Sequence, residues 1–215
     1  MDIVNHAATG QLRSDLSLVL RENEKNISHK IEQVLSEADH WKFATDEFYC
    51  PVPYHNELNK LKKGRLLKNI NESDRFSKQN LFSFGFDRSD QLRLMQNMIG
   101  KEVRLGVNTK LYEYGPSDET TYYVARHYPG KDFPDKLIST GRFKKLDEAT
   151  KIDMVVGSDG NWSVTYYTYD PGTDRIIKAT RYALGWNGQT EYDFVYEHAD
   201  LSRIMVGEVV WWKSK

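Results

Sequence analysis

The sequence predicts an α+β protein that is mainly β: a large antiparallel meander sheet or partly closed barrel, preceded by an α-helical N-terminal region. Three observations carry that expectation. Residues 10–38 hold apolar side chains at three- and four-residue spacing. From about residue 80 onward, short runs alternate apolar and polar side chains with a period of two. The turn clusters between those runs are too short for crossovers, so neighbouring strands are antiparallel. The expected organisation is a helical region, 1–79, packed on an antiparallel β domain, 80–215.

The helical stripe comprises Leu12, Leu16, Val19, Leu20, Ile27, Ile31, Val34, Leu35 and Ala38, with Thr9 or Ser14 placed to cap its start. Its polar middle, Arg21 to Asn26, allows one long helix or two. The stripe docks on the β domain or on a partner. Residues 39–56 gather Trp41, Phe43, Phe48, Tyr49 and Tyr54 around Pro51 and Pro53, which favours an extended segment packed on the body. Asn56–Lys63 reads as a short helix closed by Gly64.

Strand signals begin with Phe82, Phe84 and Phe86, alternating with Ser83 and Gly85. They continue through Leu92–Met98, Lys101–Leu105, Thr109–Tyr114 and Thr120–Tyr128, whereas Pro129-Gly130 and Phe133-Pro134 loosen residues 129–150. Five runs then follow: Ile152–Val156, Trp162–Tyr169, Arg175–Leu184, Thr190–Glu197 and Arg203–Trp212. Between them stand turns such as Ser158-Asp159-Gly160-Asn161 and Asp170-Pro171-Gly172-Thr173-Asp174. In the last run Ile204, Val206, Val210 and Trp212 share a side that needs burial, so an internal or covered strand is expected there.

Composition excludes more than it selects. With 30 basic against 31 acidic residues the net charge is −1, so no global field draws the chain to nucleic acid or a membrane surface. The single cysteine, Cys50, excludes an internal disulfide and suits a reducing compartment. The N-terminus lacks the basic and apolar regions of a signal peptide, and no window is apolar enough for a spanning helix. A cytoplasmic protein is expected.

Catalytic motifs are missing. No two of His6, His29, His40, His55, His127 and His198 stand at the spacing of a zinc helix, and Cys50 with His55 alone does not make a metal site. Cys50, between Tyr49 and Pro51, reads as a small buried hydrophobe. There is no nucleophile elbow and no phosphate-cradling loop. The basic run Lys60, Lys62, Lys63, Arg65 and Lys68 is flanked by Glu57 and Glu72 and reads as a solvated face. No catalytic residue, metal or cofactor is expected, and the chain is not expected to be an enzyme.

The one suggestive group lies on the late strands. Alternation places Trp162, Val164, Tyr166, Tyr192 and Phe194 toward a core, leaving Tyr167, Tyr169, Arg181, Glu191, Asp193 and Glu197 on a free face. Tyrosines with one arginine among acids suit a protein interface. The same mixture suits a carbohydrate-active or ligand-binding sheet, and a plain solvated strand face would also show it.

Three turns share an aromatic–acid approach and an apolar exit. They are Phe84-Gly85-Phe86-Asp87 to Leu92-Arg93-Leu94, Tyr167-Thr168-Tyr169-Asp170 to Arg175-Ile176-Ile177, and Phe194-Val195-Tyr196-Glu197 to Arg203-Ile204-Met205. This resembles the tyrosine–aspartate hairpin repeat of bacterial Rhs-type proteins, although none of the copies has Gly before its Arg. In size and style the chain resembles the immunity proteins of polymorphic, Rhs-type or contact-dependent toxins. That resemblance implies a cytoplasmic protein that binds a cognate toxin domain and neutralises it by protein–protein contact.

Overall fold

Hairpin follows hairpin until the chain has built one sheet. The computed structural model describes residues 2–76, 80–99, 106–130 and 133–214. Its strands are β1 (His40–Ala44), β2 (Leu66–Leu67), β3 (Phe82–Phe86), β4 (Leu92–Met98), β5 (Val107–Tyr114), β6 (Thr120–His127), β7 (Lys136–Lys145), β8 (Thr150–Gly157), β9 (Trp162–Asp170), β10 (Arg175–Ala183), β11 (Thr190–Glu197), β12 (Asp200–Val206) and β13 (Val209–Lys213). All pairings are antiparallel and spatial order follows the chain from β3 to β13, with β1 and then β2 added outside β3. Among the described residues the sheet is open, with β2 and β13 as edges, so of the two expected forms it takes the antiparallel meander sheet rather than the partly closed barrel. The expected strand Lys101–Leu105 lies outside the described residues. The expected looseness of 129–150 gives way to β7, one of the longest strands.

The apolar stripe divides at Lys25-Asn26 into α1 (Ala7–Glu24) and α2 (Ile27–Glu37). His6, not Thr9 or Ser14, caps α1, its ring nitrogen accepting from the Ala8 amide at 3.3 Å. Thr9 is already helical and buried, donating to the Ile3 carbonyl at 2.6 Å. Leu12 and Leu16 of α1, with Ile3, pack on Ile152, Met154, Val156, Val164 and Tyr166. Ile27, Ile31 and Val34 of α2 pack on Leu94, Leu111, Tyr123, Ala125 and Leu137. Neither helix is long and apolar enough to cross a membrane.

The opposite face is covered as well. Residues 45–65, including the short α3 (His55–Leu58), run across it as a strap. Ala44, Val52 and Leu58, with Phe48, Tyr49 and Tyr54, pack on Phe84, Phe86, Tyr112, Tyr122, Tyr167 and Phe194. A strand buried on both faces cannot alternate apolar with polar; it alternates aliphatic or aromatic with aromatic, as Val164, Tyr166, Tyr167 and Tyr169 do on β9. This is the structural use of the chain's aromatic residues, 13% of the sequence.

All three aromatic–acid turns are hairpins, joining β3 to β4, β9 to β10 and β11 to β12. In two of them the acid closes the turn. Asp87 Oδ1 accepts from the Ser89 and Gln91 amides, and Asp170 Oδ1 accepts from the Gly172 amide.

The expected covered strand at Arg203–Trp212 is instead β12, a turn at Gly207 in the left-handed region, and the edge strand β13. Ile204 is buried, but Val209 and Val210 are 67% and 50% exposed. The short turn reverses the chain before the run ends, which moves its second half to the rim.

Candidate functional site

The predicted face does not assemble. Tyr167 and Tyr169 are buried beneath the strap, and Arg181 is half-buried on that same side. Glu191 and Asp193 lie on the other side of the sheet, exposed, with Glu191 held by Lys178 at 2.7 Å. Glu197 is exposed near the end of β11 and accepts from the Ser202 hydroxyl at 2.8 Å. Register explains the separation. Tyr167 pairs with Ala179, which pairs with Tyr192, whereas Tyr166 pairs with Thr180, which pairs with Glu191. Tyr192 therefore shares a side with Tyr167, and Phe194, two residues along β11, stands with it. The expected division puts both of these aromatics on the Trp162 side.

What the strap side brings together is a cavity of about 170 Å³ between α3 and strands β5, β6, β8, β9 and β10. Its lining includes Asp153, Tyr122, Arg181, Lys110, His55 and Asn59. Asp153 interrupts the apolar run of β8 because its neighbours Ile152 and Met154 face α1 while it faces the strap. Tyr122 donates its hydroxyl to Asp153 Oδ1 at 2.8 Å. Burial pushes the Asp153 carboxyl up to about 6, against the opposing pull of the Tyr122 hydrogen bond and of Arg181 and Lys110. The charge of Asp153 in turn adds to burial in holding the Tyr122 and Tyr167 hydroxyls well above their ordinary range.

Both cations have partners, and Arg181 is also hydrogen-bonded to Tyr192. Arg181 Nη1 donates to Asn59 Oδ1 at 2.9 Å, and its Nε finds no partner among the described residues. Lys110 Nζ donates to Glu47 Oε1 at 2.6 Å. Burial and then Lys110 lower His55 to about 4, so its imidazole is neutral at neutral pH. A wider depression of about 570 Å³ shares Val155, Ser163 and Arg181 with the cavity and reaches the exposed Ile138 and Leu184.

The strap is pinned where it frames this space. Asn56 Nδ2 donates to the Glu47 carbonyl at 2.8 Å, and Thr45 and Arg65 are hydrogen-bonded to each other at its two ends. Trp211 Nε1 on β13 donates to the Leu58 carbonyl at 3.1 Å, with the Lys60 ammonium 3.8 Å above its ring. One consequence is that Glu47, Cys50 and His55 present ligand atoms within 4.8 Å of one another. Sequence reasoning pairs Cys50 with His55 but has no means to add Glu47.

No protein-family model, no curated protein and no solved structure matches the chain.

Sequence reasoning missed Lys110, Tyr122, Asp153, His55 and Asn59 as site residues. A signal existed for one of them: an acid inside the apolar run Ile152–Val156 is costly to bury and calls for a reason.

Proposed function

We propose that the protein is a ligand-binding β-sheet protein that takes a small polar molecule, of about monosaccharide size, into the cavity under the strap. The observation that carries this reading is the meeting, in one cavity, of the Asp153–Tyr122 pair with Arg181, whose Nε has no hydrogen-bond partner among the described residues. A carboxyl poised near 6 can accept or donate a hydrogen bond, and the guanidinium supplies a directed donor. Hydroxyl or carboxylate groups match that set. Asp153 is the one carboxylate in the described lining, so the arrangement favours binding over two-carboxylate sugar hydrolysis. Ligand-detected NMR against a panel of monosaccharides and sugar acids tests it. Binding by the wild type, lost in Arg181→Met and in Asp153→Asn while both variants stay folded, is the expected result. A panel without hits, or hits indifferent to both substitutions, overturns it.

A second reading, a cytoplasmic immunity-type protein that neutralises a cognate toxin domain, is favoured by a different observation. Glu191 and Asp193 stand exposed toward the end of the sheet where β13 offers an apolar edge. Its support would come from a toxin gene beside this one, and from loss of toxin binding in a Glu191→Lys, Asp193→Lys double variant with an unchanged melting temperature. A double variant that still neutralises the toxin would remove the acids from the interface.

A further inference from the structure

The strap between Glu47 and Asn56 closes on itself through the Asn56 amide, and the closure gathers three different donor types. The Glu47 carboxylate, the Cys50 thiol and the His55 imidazole each offer an atom within 4.8 Å of the others, and all three residues are partly buried. Beneath them, Tyr112 on β5 is 2% exposed, and its hydroxyl has no hydrogen-bond partner among the described residues. Cys50 and Glu47 are the ionisable groups that act on that hydroxyl most strongly. A buried hydroxyl left unpaired beside a thiol and a carboxylate is unfavourable unless something completes the cluster.

We propose that Glu47, Cys50 and His55 bind a divalent cation of the zinc class, with the Tyr112 hydroxyl at its margin. Sulfur, nitrogen and oxygen donors together select zinc or cobalt, whereas magnesium and calcium require oxygen alone. Lys110 occupies Glu47 Oε1, which leaves Oε2 for the ion and makes Lys110 an outer-shell partner. Loading requires the buried Cys50 thiol to lose its proton to solvent as the sulfur–metal bond forms, so binding releases one proton and tightens as pH rises. A pocket of about 240 Å³ lined by Cys50, His55 and Glu57 provides the ion's route and room for a water as fourth ligand. The site goes beyond the ligand-binding reading and stands without it, although His55 lines both spaces.

The test uses the full chain, stripped with a chelator and titrated with cobalt(II). One equivalent bound, with a thiolate-to-cobalt charge-transfer band that zinc bleaches, is the expected result. Cys50→Ser should abolish the band, and His55→Gln should weaken zinc by at least ~10-fold in a chelator competition. His40→Gln, at an exposed histidine held by Asp90, should change neither. Absence of the band in the wild-type chain would overturn the proposal and leave the Glu47–Lys110 ion pair as the cluster's own neutralisation. A band that survives Cys50→Ser would overturn it equally. Because the band is read first on the wild type, a variant that fails to fold does not remove the test.

Discussion

Gly141 on β7 lies directly under Tyr122 on β6: a Cβ added at 141 would stand about 2.5 Å from the Tyr122 hydroxyl. The two are register partners, and the missing side chain is what lets the Tyr122 ring lie across the sheet and reach Asp153. Gly141→Ala should displace that ring and cost about 1–3 kcal/mol, as overpacking does in a filled core. Urea denaturation measures the loss. A stability within error of the wild type would show that Tyr122 can reach Asp153 by another route.

Asp153 makes stability depend on pH with a definite sign. Its carboxyl titrates at about 6 when folded, against the ordinary value of 3.8, so the folded state holds the proton more tightly than the unfolded chain. Its contribution is fully present below pH 3.8 and is lost as pH rises through 6. Every tenfold gain in proton affinity corresponds to about 1.4 kcal/mol, so the loss amounts to about 3 kcal/mol at most. Asp153→Asn keeps an acceptor for Tyr122 and removes the titration. The variant should therefore gain stability over the wild type as pH rises from 4 to 7, and urea midpoints across that range should diverge. Parallel curves would place the Asp153 carboxyl in water.

Truncation after Gly207 removes β13, an edge strand with exposed Val209 and Val210. The remaining sheet should unfold cooperatively, with about 1–3 kcal/mol lost because the Trp211 indole no longer holds the Leu58 carbonyl of the strap. Thermal unfolding followed by circular dichroism checks this. A truncated chain that is insoluble would make β13 part of the core.

Leu16 is wholly buried where α1 meets the sheet. Leu16→Ala should cost about 2–5 kcal/mol through lost transfer energy and the cavity left behind. Leu18 on the same helix is 53% exposed, and Leu18→Ala should leave the urea midpoint nearly unchanged. Equal effects at the two positions would mean that α1 is rotated from the orientation described.

Residue spacing did not reveal β7 or the reversal at Gly207, but it made the N-terminal helical stripe and most of the hairpin meander legible. These are local properties, written in spacings of three, four and two residues and in turn chemistry, and they survive whatever the strands later pack against. Which strand faces coincide is set by pairing across the sheet. Alternation assigns sides within β9 or within β11, but the phase between them depends on register and on the bulge between Ile176 and Lys178, where one added residue exchanges the sides. That phase separates Arg181 from Glu191 and unites Tyr192 with Tyr167. Coverage was equally nonlocal: the strap buries the face that alternation left free, because its aromatics need burial as much as those of the sheet. The cavity lining of Asp153, Tyr122, Arg181, Lys110 and His55 comes from elements far apart in the chain, and only long-range packing gives such a set a common place.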